Sequence, residues 1–418
     1  MVDSATQRLQ QEGISPISWL ELTLREGANG ACRQIIEDLL SLNTVSILGD
    51  SAQAGERKVK GCKKSIQTLF GLVTISRNWY KAEGSEGRFP MDTALALVGS
   101  YTPTLAALMA RCAANEPYER AAESFKALTG VPVEARQFLR VVEDLRGLAE
   151  KFQLEPSPGE KSRPPRAYVA VDGTGAPMRK EELDGIKGRQ EDGSARTREV
   201  KVCAIFTQSD LGSEKPWRDI GSTTYRASTL RSDDFGPLVR QEFDRRFSNA
   251  PETVFIGDGA KWLWELKRIH FPWAVEIVDY YHASEKLGML AEDVYQRASK
   301  EWRALYDKWK TLLWEGCLEE IQKDYKMLTP QSKESGKWTY FENNKHRMRY
   351  AEYRKHNCFI GSGAVESACK TVIGQRFKGS GMRWSLDGLD ALLPIKTLLE
   401  SNRFDEFIDY IEQKKEAA

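Results

Sequence analysis

The chain lacks any paired-cysteine motif. Its seven cysteines (Cys32, Cys62, Cys112, Cys203, Cys317, Cys358 and Cys369) are odd in number, scattered, and never spaced as CxxC. That argues against a disulfide framework and against a structural zinc site. No apolar run reaches membrane-spanning length, and the opening MVDSATQRLQQEG holds no apolar signal core. A cytoplasmic protein without a membrane partner is expected. Net charge is scarce too, with 61 basic residues against 60 acidic ones. Any nucleic-acid surface must then come from local clusters. No Ser/His/Asp or Cys/His arrangement stands out, so a side-chain nucleophile is not expected.

What is present is enough apolar material for more than one core. The chain has 418 residues, 41% of them hydrophobic, which predicts two or three domains. Apolar positions at helical spacing between Ile14 and Leu42 predict an N-terminal helical region over residues 1–60, with Gly27 to Gly30 (GANG) separating two helices. Within it, Ser41 to Lys60 reads as a turn-rich connection. SIQTLFGLVTISRNWY, Ser65 to Tyr80, alternates and predicts a strand pair or a strand bent at Gly71. Helices follow to Phe152, broken at Gly130. The pattern over ERAAESFKALTGVPVEARQFLRVVEDL fits a helix-turn-helix with Arg136, Arg140 and Arg146 on its last helix, or a plain helical hairpin. We take 61–154 as a β-hairpin plus helical DNA-binding region. The prolines of 155–166 mark a linker.

Beyond that linker the texture is mixed. Strands are expected at AYVAVD, REVKVCAIFTQ, Ser222 to Ala227, Thr253 to Ile256 and AVEIV, with helices after the third and fourth. That order is the one found in a ribonuclease H-like core, here assigned to 167–283 and resumed at 356–418. The Trp-, Lys- and Glu-rich segment 284–355 is too long for a loop and predicts a helical insertion.

Within this region, VFIGDGAKWLWEL places Asp258 after a short apolar strand and between two glycines. Alone, an Asp-Gly pair reads as a hairpin turn. Here a helix follows instead of a second strand. Asp172, in AYVAVDGTG, also punctuates an apolar strand, where α/β proteins place ligand-binding groups. Glu366 opens a helix, where an acid is favoured by the macrodipole alone. No acid follows it from Ser367 to Ser385, while Lys370, Arg376, Lys378 and Arg383 do. A lone carboxylate before a basic run suits a site where phosphates approach a cation held by acids. Three carboxylates suit Mg²⁺, with Mn²⁺ as substitute, and phosphodiester displacement by water or a 3′-hydroxyl. Asp279 and His282 are too few to be a metal site and read either as a hydrogen-bonded pair that fixes the strand end or as a pair orienting the acids. Of Trp262 and Trp264, one is expected in the core and the other free to stack on a base.

Four ordered stretches resemble one family. VAVDGTGAPM, FIGDGAKWLWEL, EIVDYYHASEKL and IGSGAVESACKTVIGQRFKGSGMRW are similar to the ISKra-type bacterial insertion-sequence transposases, distant relatives of the Mutator-like transposases. The likeness covers nearly the whole chain and is strongest from Tyr168 to Trp384. It implies a DDE transposase with an α/β ribonuclease H-like core, a large all-α insertion and a mostly helical N-terminal region. It places the two aspartates at Asp172 and Asp258, the glutamate at Glu366 and a DxxH motif at Asp279 and His282. It further implies a bacterial, nucleoid-associated protein that binds terminal inverted repeats and target DNA as a homodimer or larger. One departure stands out: relatives carry a cysteine-rich, zinc-ribbon-like element where this chain has NWYKAEGSEGRFPMD, so no structural zinc is expected. A ribonuclease H-like nuclease without strand transfer and a domesticated DNA-binding protein are the alternatives.

Overall fold

The computed structural model describes residues 16–41, 52–155, 163–186, 195–247, 252–329 and 336–413. Helix α1 spans Pro16–Ser41 and runs unbroken through Gly27–Gly30, where the sequence predicts a break between two helices; strands β1 (Arg57–Thr68) and β2 (Gly71–Lys81) form an antiparallel hairpin. The alternation expected from Ser65 onward buries Ile66, Val73 and Ile75 against Met91, with Ile36 and Leu40 of α1 packed over them. The strand starts earlier than expected, at Arg57. Half of the connection read over 41–60, residues 42–51, lies outside the described residues.

Four helices follow: α2 (Pro90–Ala94), α3 (Pro103–Asn115), α4 (Tyr118–Thr129) and α5 (Ala135–Leu154). Helix α4 stops at Gly130, whose φ of +76° caps it in the left-handed region that glycine tolerates. Phe125 of α4 meets Phe138 of α5 edge-on at 5.6 Å. The chain divides into two units, Met1–Leu148 with Asp405–Ala418, and Ala149–Phe404. The linker expected at 155–166 falls largely on 156–162, outside the described residues.

The second unit is mixed α/β. Strands β3 (Arg166–Pro177), β4 (Thr197–Gln208) and β5 (Thr224–Ser228) lead to α6 (Ser232–Arg246). Strand β6 (Glu252–Gly257), α7 (Lys261–His270) and β7 (Val275–Val278) follow. The sheet order is β5-β4-β3-β6-β7. Pairing is antiparallel between β5, β4 and β3 and parallel from β3 to β6 to β7. Ala167 to Val171 are all buried, as expected of a central strand that is apolar on both faces.

Five helices come next: α8 (Tyr280–Ala291), α9 (Lys300–Trp314), α10 (Leu318–Leu328), α11 (Trp338–Asn344) and α12 (Tyr350–Lys355). Trp309 is fully buried among them. The chain then returns to the sheet at Phe359, which stands edge-on to Tyr168 and Phe206 at 5.3 and 5.5 Å. Helix α13 (Gly363–Ala368) passes into a π-helical turn, Cys369–Gly374, then α14 (Gln375–Phe377), α15 (Leu386–Glu400) and α16 (Phe404–Gln413).

One local expectation is corrected. GTGAP does not leave the sheet after Asp172. It continues β3 to Pro177, paired with Thr197 to Lys201 of β4. Gly173 and Gly175 hide the alternation there, because they offer no side chain to pattern. No helix among the described residues is long and apolar enough to cross a membrane.

Candidate active site

The parallel half of the sheet sets the geometry. The last β3–β6 pair is Ala170 with Ile256, and the last β6–β7 pair is Gly257 with Val278. Asp172 and Asp258 each stand two residues beyond the first of these pairs. Asp258 follows the end of β6 directly, while Asp172 lies within β3, which runs on to Pro177 beside β4 alone. Asp279 follows Val278 directly. Three acids thus lie along the carboxyl edge of the parallel part of the sheet, the position where open α/β sheets bind ligands.

Asp279 is fully buried and caps α8. Its Oδ1 accepts the His282 N–H at 2.7 Å and lies 3.2 Å from His282 Nδ1. Its Oδ2 accepts the Ser362 N–H. Burial pushes the carboxyl up, but these hydrogen bonds outweigh it and hold it below its usual range. Both oxygens are committed, so Asp279 ties three elements together: the end of β7, the first turn of α8 and the loop before α13. The Tyr280 N–H to Ile360 carbonyl bond at 2.9 Å closes the same junction.

Glu366 enters from α13. Its Oε1 accepts from Ser362 Oγ at 3.0 Å. The ligand atoms of Asp279, His282 and Glu366 all lie within 4.8 Å of one another. Among the described residues this is the one such group found, so the set expected from the sequence, Asp172 with Asp258 and Glu366, is not as tightly drawn together.

His282 links the two halves. Its hydrogen bond to Asp279 raises its pKa to about 9 against the opposing effect of burial, and the charges of Asp258 and Asp172 add to the rise. At neutral pH it is an imidazolium facing several carboxylates. Asp172 shows the converse. Burial raises its carboxyl, the Asp258 charge raises it further, and the Gly173 N–H, His282 and the Cys369 thiol offset this only in part. Acids crowded in this way bind a cation readily.

The residues fit a hard divalent cation. Asp258 spends Oδ1 on the Ala260 N–H at 2.8 Å, Asp172 accepts the Gly173 N–H at 2.7 Å, and Glu366 accepts one hydroxyl. Each carboxylate keeps further lone pairs for a metal. The donors are oxygens, which Mg²⁺ and Mn²⁺ prefer. Coordination by His282 would require loss of its proton first.

Neither a scan against models of known protein families nor a search of curated proteins returns a match for this chain. The site is read from its own chemistry.

The remaining expected residues divide. Lys370, Lys378 and Arg383 are exposed, and Lys378 Nζ donates to Thr174 Oγ1 at 2.6 Å, beside the strand that carries Asp172. Arg136 and Arg140 are exposed one turn apart on α5. Two expected DNA contacts are corrected. Arg376 is 1% exposed and its guanidinium lies 4.9 Å from the Trp384 ring centroid, inside the unit. Trp264 is buried against Phe255 at 6.0 Å. Trp262 is half-buried, with Lys201 Nζ 5.5 Å from its ring.

Two residues at the site escaped sequence reasoning. Tyr340 of α11 donates its hydroxyl to the Asp258 carbonyl at 2.9 Å. Its ring lies where a side chain on Gly259 would be, with only 2.7 Å to a Cβ built there, and Gly259 has a φ of +97°. The second glycine of the Gly-Asp-Gly stretch therefore admits Tyr340. Cys369, in the π-helical turn, places its thiol 3.6 Å from Asp172 Oδ2. Burial, then the Asp172 charge, push that thiol up to about 12, so it stays protonated and acts as a donor. An isolated cysteine gave no signal of this. The need of Gly259 for a close neighbour was legible, but not which one.

Proposed function

We propose that the chain is a DDE-type DNA transposase with a ribonuclease H-like core, holding Mg²⁺ at Asp172, Asp258 and Glu366. The observation that carries this reading is the placement of Asp172 on β3 and of Asp258 just past the adjacent parallel β6, both beside a His282 that also neighbours Glu366. The strand order, with three antiparallel strands and then two parallel ones, supports it. So does the helical run between β7 and Glu366, which in this reading is the insertion.

Bound there, a divalent cation supplies Lewis-acid activation of the attacking oxygen and stabilisation of the leaving one. The chain supplies the rest. Asp172, Asp258 and Glu366 hold the charge in place. Asp279 fixes His282, whose positive charge lowers the repulsion among the acids. Lys370, Lys378 and Arg383 meet the incoming phosphates. In the first step water bonds to phosphorus, and the bond to the 3′ oxygen breaks with proton transfer to it. In the second, the freed 3′-hydroxyl oxygen bonds to a target phosphorus, whose bond to its own 3′ oxygen breaks, and the hydroxyl proton passes to that leaving oxygen. Recognition of the ends falls to the first unit, where α4, Gly130 and α5 present Arg136 and Arg140.

The test is an in vitro reaction of the full chain with Mg²⁺, DNA carrying the element's ends and a target plasmid. Joined 3′ ends are the expected product. Cleavage without joining would make it a nuclease, and binding without cleavage a DNA-binding protein. Either result overturns the proposal.

A further inference from the structure

The β1–β2 hairpin has a charge unlike the rest of the chain. From Arg57 to Lys81 there are seven basic residues and no acidic one, in a chain of 61 basic and 60 acidic residues. Two of the seven turn inward: Lys64 and Arg77 both meet Asp92. Arg57, Lys58, Lys60, Lys63 and Lys81 are exposed. Among the described residues, Lys60, Lys63 and Lys81 have no acidic partner. The neighbouring Glu56 is taken by Arg88 at 2.7 Å.

The hairpin's shape suits a groove. One face is buried on Ile66, Val73 and Ile75. The other presents Lys63, Ser65, Thr74 and Ser76, all exposed; acids lie only at its margins, where Glu37 of α1 accepts the Thr74 N–H at 3.1 Å and Glu134, just before α5, and Asp144 of α5 share a cleft with Ser65 and Gln67. The register shifts between Val59 and Cys62, where Gly61 has a φ of +74°. Such a bulge bends the strand and increases its twist. At that end Lys58 Nζ lies 5.2 Å from the Tyr80 ring and Lys81 Nζ 5.8 Å from the Trp79 ring, so aromatic faces steady the ammonium groups.

We propose that this hairpin is a duplex-DNA-binding ribbon that seats in the major groove with Lys60, Lys63 and Lys81 on the phosphates. The B-form major groove admits a two-stranded ribbon, whereas the deep, narrow groove of duplex RNA does not. Hydroxyls on the exposed outer face, from Thr74 and Ser76, are the kind of group that reaches base edges. The inference rests on the reading of the chain as a DNA-processing enzyme and names a surface that serves it.

The experiment measures binding without cutting. The full chain is titrated, in EDTA, against a labelled DNA duplex over a series of salt concentrations. The triple variant Lys60→Ala/Lys63→Ala/Lys81→Ala should flatten the slope of log affinity against log salt by about 2.7, and weaken binding by about 100-fold at low salt. The control Lys300→Ala/Lys323→Ala/Lys326→Ala removes the same charge from exposed helical positions and should bind like the parent chain. Circular dichroism checks that both variants fold. An unchanged slope in the ribbon variant overturns the proposal, as does an equal loss in both variants. Equal affinity for an RNA duplex, or stronger attachment to phosphatidylglycerol vesicles, also overturns it. A chain that joins DNA ends while the ribbon variant keeps its slope removes only the ribbon. A chain with the expected slope change that joins no DNA removes only the transposase reading.

Discussion

Two acids in the unit Ala149–Phe404, each in its own cluster of charged groups, respond to their surroundings in opposite directions. Glu242 is 1% exposed, deeper than half-buried Asp172. Yet Glu242 is the stronger acid. Burial alone would raise it, but Arg226 at 3.4 Å, Arg245 at 2.7 Å and Arg403 at 3.9 Å override this and hold it at about 2. Among the described residues no arginine pairs with Asp172; the imidazolium of His282 and a second carboxylate are nearby, and its pKa rises. Depth does not decide the direction of such a shift; the supply of positive charge does. Glu242 is complete as folded. Asp172 is short of positive charge, which a divalent cation would bring.

This contrast can be broken most sharply by removing one acid from each cluster. Asp258→Ala should cut strand transfer by about 10³-fold or more, because the cation's contribution of several kcal/mol is lost. Its melting temperature should stay near the parent value, since the change relieves crowding. Full joining activity would end the assignment of Asp258. Glu242→Ala should do the reverse and destabilise the unit by about 3–5 kcal/mol in urea unfolding, by leaving arginines buried without their counter-charge. A loss below about 1 kcal/mol would show that Glu242 is not the hub of that cluster.

The pH dependence of Glu242 follows from its lowered pKa. Its contribution to stability is full above the unfolded value of about 4.3. It is lost as pH falls through the folded value of about 2. Urea midpoints measured down this range should decline, and Glu242→Gln should flatten the decline. An identical acid limb in parent and variant would contradict the pairing.

At the strand edge, added metal should stabilise the fold. At 100 times its dissociation constant, Mg²⁺ or Mn²⁺ would contribute about 2.7 kcal/mol, seen as a higher melting temperature. Ca²⁺-free EDTA samples give the baseline. Asp172→Asn should lose most of that shift. A shift of equal size in Asp172→Asn would place the metal elsewhere.

The same contrast explains what was legible. Asp172 and Asp258 stood out because each follows an apolar run and each precedes a glycine. The central strands β3 and β6 stood out because strands buried on both faces carry continuous apolar runs. Glu366 stood out through the acid-free stretch behind it. The hairpin's first half did not, because RKVKGCKK has too few apolar residues to alternate, and its partner strand supplies the buried face. Arg376 and Lys378 look alike in sequence, two residues apart. Only the turn of the helix decides that Arg376 packs on Trp384 and Lys378 reaches Thr174. Tyr340 was hidden for a different reason. Its contact with Asp258 spans 82 residues, and nothing local marks it among the aromatic residues of WTYFENN.

Tyr340 also offers the smallest and most selective test. Tyr340→Phe keeps the ring against Gly259 and removes only the hydroxyl that holds the Asp258 carbonyl. Loss of one such hydrogen bond costs about 1 kcal/mol. Burial, then the charges of Asp258 and Asp279, push the Tyr340 hydroxyl up, so it is a donor across the working pH range. If it positions Asp258, the variant should need several-fold more Mg²⁺ for half-maximal joining, with kcat at saturating metal close to the parent. If Tyr340 serves only to pack the helices, stability falls by the same amount while the metal requirement stays fixed. The metal titration therefore decides whether the helical segment reaches into the chemistry or merely covers the sheet.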